Sequence, residues 1–286
     1  MSVLCIGQVG WDITKIGGIA HKNYGGSVLH FSLGCKLMGG DVDIAAYVNT
    51  RDWESLLELL KKVGIGIDKI IDHKNTICFN MEYDEKLTFL NDKFSMDIDL
   101  NEPDISVVLD DSKNYKIINL CETTPEQDNL MLQKVLKNGN FEISMQYHID
   151  NLIRAKDLYY SMLSQIDYLF LNADEALYLT ACTDIQSAIL EIQKLCKKVA
   201  FVTSHKTNYA ISKARIFSVN TIAIEEVRDP TGAGDCFAGG AIASLLYSDD
   251  LLRALRYGMI CSYFKLKDYS SNFLLKMMKH EVISIG

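Results

Sequence analysis

The chain is poor in proline, tryptophan and histidine: three, two and six in 286 residues. Three prolines argue against long irregular connections or a stiff Pro-rich linker. The six histidines are dispersed and no H-E-x-x-H occurs, so a histidine-built metal site is not expected. The eight cysteines, at 5, 35, 78, 121, 182, 196, 236 and 261, include no C-x-x-C pair and sit mostly in apolar runs. They are expected as small core residues in a reducing compartment, not as disulfides or zinc ligands. Positive charge is short as well. There are 29 Lys and Arg against 37 Asp and Glu, a formal net charge of −8. Nucleic acid and anionic membranes need clustered Lys and Arg, so neither is an expected partner. No apolar run reaches membrane-spanning length. The start, MSVLCIGQVGWD, lacks a basic region followed by a long apolar one, which points to a cytoplasmic protein. No G-x-x-x-x-G-K-[ST] occurs anywhere, which excludes a P-loop kinase.

What is present is a globular composition, 48% hydrophobic and 23% charged, enough to bury a substantial core. The length suits a single domain over 1–286, or one domain with a small appendage. Apolar runs of strand length alternate with amphipathic stretches. SVLCIG, DVDIAAYV, DKIIDH, KIINLC, FEISMQY, IDYLFLN and KVAFVTS are expected as strands. GGSVLHFSLGCKLMG, WESLLELLKKVG and PEQDNLMLQKVLKNG are expected as helices, the second capped by Thr50 or Asp52 and the third opened by Pro125. Such alternation implies a mostly parallel sheet with helices on both faces. TICFNMEYDEKLTFL and YAISKARIFSV alternate apolar and polar residues and are expected as β-hairpins. Segments 13–24 and 76–91 are the candidates for a small lid beside the main sheet. From Ala233 onward the pattern is helical.

One stretch stands apart: RDPTGAGDCFAGG, residues 228–240, directly before an apolar run. It is either a tight loop that starts a helix or a loop that must touch a phosphate. The first N–H groups of a helix are unpaired and the dipole there favours negative charge. Gly232, Ala233 and Gly234 would leave those groups open. Asp235 is then either a first-turn carboxylate that stabilises the helix or a base that accepts the proton of an attacking hydroxyl. The two further glycines in the helix each cost about 1 kcal/mol relative to alanine, which suggests close packing against another backbone.

D-P-T-G-A-G-D-C-F resembles the C-terminal signature of the ribokinase-like (PfkB-type) sugar kinase family. The resemblance runs over nearly the whole chain. CIGQVGWDI is similar to the family's first strand, whose Asp binds substrate hydroxyls; here it is Asp12. YGGSVLHFSLGCKLMG resembles the G-G-x-x-x-N helix, whose paired glycines let substrate approach the backbone; Gly25 and Gly26 match, and His30, in place of Asn, is either a substrate contact or a packed residue. VNTRDWESLLELLKKVGI is similar to the G-x-D segment, with Asn49 for glycine. FLNADEALYLT carries N-x-x-E at Asn172 and Glu175, which the resemblance assigns to magnesium and phosphate through water, although Asn172 is also a good helix cap. KVAFVTSHKTNYAI falls on the T-x-G-x-x-G nucleotide segment, where Thr203 is kept while His205 and Asn208 replace both glycines.

The resemblance implies a three-layer α/β/α ribokinase-like fold with a mostly parallel central sheet and a small β lid. It implies ATP-dependent phosphorylation of an alcohol on a sugar, polyol or nucleoside, with Asp235 as base and the loop of Gly232, Ala233 and Gly234 on the phosphoryl oxygens. Thr231, Gly232 and Gly234 count with the nucleotide-binding residues. Mg²⁺ is implied at Glu175 and Asn172, and Asp229 is either part of a monovalent-cation site or a turn residue before Pro230. Only twelve residues connect Asp12 to Gly25, so the lid hairpin is short and a monomer or weak homodimer is expected. The short lid and the bulky residues after Gly-Gly are similar to the inositol kinase branch. An inositol-like cyclic polyol therefore ranks first as acceptor, a nucleoside second and an open-chain keto-sugar acid third. The altered nucleotide segment keeps open a protein that binds sugar or nucleotide without turnover.

Overall fold

The computed structural model describes residues 1–87, 89–95, 115–269, 271–272 and 274–278. The apolar runs become the strands β1 (Ser2–Ile6), β4 (Val42–Val48), β5 (Gly66–Asp72), β8 (Tyr115–Leu120), β9 (Glu142–Gln146), β10 (Tyr168–Asn172) and β11 (Val199–Thr203). They pair in parallel. β12 (Thr207–Ser212) and β13 (Ile216–Asn220) extend the sheet antiparallel, as the late alternating segment implies. The order across the nine strands is β13-β12-β11-β10-β9-β8-β1-β4-β5.

Alternation along each central strand feeds two cores. On β1, Val3 and Cys5 join Phe31, Trp53 and Phe237 on one face. Leu4 and Ile6 join Tyr159 and Ile189 on the other. Both faces are therefore covered, which is why these strands are continuous hydrophobic runs. The first face carries α1 (Ser27–Leu37), α2 (Thr50–Lys62), α7 (Ala233–Leu245) and α8 (Leu251–Lys265). The second carries α3 (Pro125–Asn138), α4 (Ile149–Met162), α5 (Ala173–Thr180) and α6 (Ile185–Leu195). The sheet and its two helical layers are the expected three-layer α/β/α architecture.

A second sheet has the order β3-β2-β6-β7 and contains the two segments singled out as a lid. It is built from β2 (Gly10–Ile16), β3 (Ile19–Gly25), β6 (Ile77–Tyr83) and β7 (Phe89–Ser95). β2 pairs antiparallel with β3 and parallel with β6, and β6 pairs antiparallel with β7. Residue 88 and the side chain of Phe89 lie outside the described residues.

The start of α2 differs from expectation. Its cap is Asn49, whose side chain accepts from Arg51 N. Thr50 turns its hydroxyl to Asp72 instead, 2.7 Å away on the adjacent strand. All eight cysteines are free and six are buried.

The helix glycines have a packing reason. A Cβ on Gly239 would stand 2.0 Å from the Phe31 carbonyl oxygen, and one on Gly240 would stand 2.7 Å from that of Tyr257. α7 is wedged between α1 and α8 backbone to backbone, and ten of its residues are buried. That wedge fixes where its first turn points.

Candidate active site

The first turn of α7 opens at Gly232, which has φ +75° and no side-chain cap. Glycine is required there twice over. The backbone is left-handed, and a Cβ would come 2.3 Å from Cδ2 of His30. Gly234 has open space where a side chain would stand. Ala233 does not contribute as expected, because its N–H donates to the Pro230 carbonyl at 3.2 Å. The helix mouth is thus left to Gly232 and Gly234. With no side chain in the way, its dipole faces whatever anion enters.

Asp12, Gly25, Gly26 and His30 form one buried knot. Asp12 on β2 accepts from Gly26 N at 3.1 Å through Oδ1, and its Oδ2 lies 2.8 Å from His30 Nε2. A carboxylate only accepts, so Nε2 carries the hydrogen. The other ring nitrogen lies 3.0 Å from Ser271 Oγ. Gly25 makes the knot fit, since a Cβ there would fall 1.9 Å from the Asp12 carboxyl carbon. Asp12 and His30 are both about 2% exposed or less.

Of the two expectations for Asp229, the structure fits the turn residue. It is fully buried, and the ammonium of the equally buried Lys265 donates to its main-chain oxygen at 3.1 Å and lies 3.8 Å from its Oδ2. The loop therefore carries its own cation. A monovalent ion at Asp229 would have to displace that ammonium, so the residues present do not fit one. Asp229 also shapes the loop, accepting Thr231 N at 2.9 Å and Thr14 Oγ1 at 3.5 Å. Thr231 in turn meets Tyr83 of β6, hydroxyl to hydroxyl at 3.2 Å. Two strands of the second sheet are thereby tied to the glycine-rich loop.

Asp235 sits in the first turn of α7, half-buried. Burial lifts its carboxyl from 3.8 to about 6; the charge of His30 and the hydrogen bond from Gln146 pull downward, and the charge of Asp12 pushes upward. Gln146, the last residue of β9, donates Nε2 to Asp235 Oδ1 at 2.8 Å. A carboxylate that loses its proton near neutrality, at the mouth of a helix, is suited to accept a proton from a hydroxyl.

Asn172 ends β10 and Glu175 lies in the next turn, where they form a complete capping box. Glu175 N donates to Asn172 Oδ1 at 2.9 Å, while the Glu175 carboxylate accepts from Asn172 N at 2.6 Å and Nδ2 at 2.8 Å. Burial pushes Glu175 up to about 8. Nearby Glu122, just past β8, is also pushed well up, first by burial and then by the charge of Asp128. Two hard carboxylates that resist ionising when alone fit a divalent cation held largely through water, the usual habit of Mg²⁺. Among the described residues no group of three or more His, Cys, Asp or Glu is placed to hold a metal ion by itself.

Thr203 stands opposite Asn172 in the β10–β11 register. His205 is exposed in the connection that follows. Asn208 is buried, with its amide oxygen accepting Ser204 N at 3.1 Å and its nitrogen donating to Thr221 at 2.8 Å. Its side chain braces the β11–β12 connection. The structure thus gathers Asp12, Gly25, Gly26, His30, Asp229, Thr231, Gly232 and Asp235 into one neighbourhood. It places Asn172, Glu175 and Thr203 along the adjoining strand ends. His205 and Asn208 make no described contact with either set. Gln146, Glu122, Lys265 and Ser271 were missed. Only Lys265 left a trace in the sequence, as a lone ammonium four residues after Cys261 on an apolar helical face.

Comparison with known proteins follows the same lines. The family described as pfkB family carbohydrate kinase matches residues 12–276. A cytidine kinase of Thermococcus kodakarensis is 26% identical over 147 residues, a match covering 50% of this chain and 52% of that one. The chain thus spans about half the length of that curated relative. The adenosine kinase from Sinorhizobium meliloti superposes with a TM-score of 0.78 at 18% identity, covering 98% of this chain and 99% of that one. A Burkholderia thailandensis nucleoside kinase in complex with inosine gives a TM-score of 0.78 at 13% identity, with 98% and 97% covered.

Proposed function

The chain belongs to the pfkB family of carbohydrate kinases, and we propose that it transfers the terminal phosphoryl group of ATP to a hydroxyl of a small sugar, cyclic polyol or nucleoside. The observation that carries this reading is Asp235. It is a half-buried carboxylate ionising at about 6, in the first turn of a helix whose mouth is bare glycine, beside the Asp12–His30 knot.

In this reading the roles divide as follows. The Asp12 carboxylate and the Gly25–Gly26 backbone hold the acceptor, with His30 keeping Asp12 in place. Asp235 takes the proton of the attacking hydroxyl. The N–H groups of Gly232 and Gly234 and the dipole of α7 stabilise charge on the transferring phosphoryl oxygens, the usual route in phosphoryl transfer. Thr231 and Thr203 flank the donor phosphates. Bound Mg²⁺ would neutralise phosphate charge, held through water by Glu175, Asn172 and Glu122.

An inositol-like polyol ranked first as acceptor from the short lid. The relatives named above are cytidine, adenosine and nucleoside kinases, which brings nucleosides level with it. The test is consumption of Mg·ATP over cytidine, adenosine, inosine, myo-inositol, ribose and fructose, repeated with pyrophosphate as donor. Turnover of one acceptor with ATP is expected. Use of pyrophosphate alone would overturn the donor. Tight binding without turnover across the panel would make the protein a non-catalytic binder.

A further inference from the structure

Among the described residues, three buried side-chain polar atoms have no hydrogen-bond partner: Ser32 Oγ, Trp53 Nε1 and Gln146 Oε1. Ser32 and Trp53 are deep in the core, but Gln146 is at the carboxyl end of a central strand. Its amide can face only one way. The Asp235 carboxylate accepts and cannot donate, so Nε2 points to it and Oε1 points elsewhere. A glutamine kept for packing satisfies both ends, because a buried orphan acceptor is destabilising. This one satisfies a single end, and that end is the base. The groups that act on Asp235 come from three elements, Asp12 on β2, His30 on α1 and Gln146 on β9, and Asp235 in turn adds to the rise that burial gives the Cys121 thiol just after β8. Gln146 and His30 favour the charged carboxylate, while Asp12 opposes it.

We propose that Gln146 is a positioning residue for Asp235, holding Oδ1 so that the other oxygen meets the acceptor hydroxyl. This rests on Asp235 being the base. Phe170 on β10 and Gln146 are register partners, so the amide is anchored by the sheet, not by a loop. The orphaned Oε1 fits the same role. It is a buried acceptor left outside the protein's own network, so the side chain is oriented by the Asp235 bond alone.

The test uses Gln146→Leu, Gln146→Asn and Gln146→Glu in the full chain. Carboxyl NMR in the absence of any substrate follows the titration of Asp235, assigned by its loss in Asp235→Asn. Loss of one charge-assisted hydrogen bond should move the midpoint up by about one pH unit in the Leu and Asn variants. Gln146→Glu, which keeps the size but sets a second carboxylate beside the first, should raise it further. In turnover of Mg·ATP with cytidine and with myo-inositol, the acid limb of the rate should move the same way. A one-unit rise makes the Leu variant about threefold worse relative to wild type at pH 6.5 than at pH 9. An unmoved midpoint in both the Leu and Glu variants, or an equal loss of rate at every pH, overturns the proposal. Should wild type turn over neither acceptor, the kinase reading is in question while the substrate-free titration still decides the role of Gln146.

Discussion

Replacing Asp235 by Asn separates a catalytic carboxylate from a helix-start one, because the two roles move stability in opposite directions. Asp235 ionises at about 6 in the folded protein against 3.8 for an ordinary carboxyl. As pH rises the unfolded chain therefore loses its proton first, and the native state loses stability between about pH 4 and 6 and stays at that lower level above. At full weight the difference is about 3 kcal/mol; for a half-buried side chain, solvent screening reduces it to about 1–2 kcal/mol. Asn does not ionise and so does not incur this cost, although it gives up about 0.3–1 kcal/mol of dipole interaction. At pH 8 the variant should thus melt level with wild type or up to about 4 °C above it in a chain of this size, and at pH 4 the gain should vanish. Turnover should fall by about 10²–10⁴, the ordinary worth of a general base. The affinity for ATP should change little, because the glycine mouth is untouched. Steady-state turnover and thermal melting on the same samples at both pH values measure all of this. Turnover within a few-fold of wild type, with a lower melting temperature at pH 8, would show that Asp235 only starts a helix.

Other perturbations test other parts of the site. Gly25→Ala places a methyl group where the Asp12 carboxyl lies; acceptor KM should rise more than about tenfold, for a loss of over about 1.4 kcal/mol, while the KM for ATP holds. Lys265→Met leaves Asp229 buried without its ammonium and should destabilise the fold by about 3–5 kcal/mol, read by urea unfolding. Because wild type carries that ammonium, exchanging K⁺ for Na⁺ in the assay should leave its rate unchanged. Glu175 must lose a proton that burial holds up to about 8, so titration with Mg²⁺ should show affinity rising as pH climbs from 6 to 8, and Glu175→Gln should lessen that slope, leaving the part due to Glu122. His205 is exposed beyond β11; His205→Gly should change the KM for the phosphoryl donor more than kcat, and an unchanged donor KM places it outside the site.

What was legible in the sequence was what is local. β1, β4 and β8 to β11 announce themselves because strands buried on both faces are unbroken apolar runs. The capping box of Asn172 and Glu175 is complete within four residues. The loop before α7 shows because glycines there have no substitute: one is left-handed and pressed on a histidine ring. The start of α2 was misplaced because Thr50 and Asn49 are both good caps. The choice was made by Asp72, a residue 22 positions away that takes the Thr50 hydroxyl.

The unreadable part of the site is the part made by distance. Gln146 is the end of an ordinary-looking strand, and nothing in EISMQ distinguishes a positioning residue from a solvent-facing one. Its partner lies 89 positions on. Ser271 reaches His30 across 241 positions, and Lys265 reaches Asp229 across 36. Each pair joins a group that a motif names to one that no motif names. The division has a physical cause. A phosphate cradle is a backbone device and restricts residue type directly, so it is written as glycine. The groups that hold Asp235, His30 and Asp229 in place need only a polar atom at the right point. Many residue types at many positions can supply that atom, so it leaves no pattern of its own. The resemblance therefore left Asp229 as either a monovalent-ion site or a turn residue, where the fold supplies Lys265 from the last turn of α8. The motif recorded that the loop carboxylate is present but not which cation meets it.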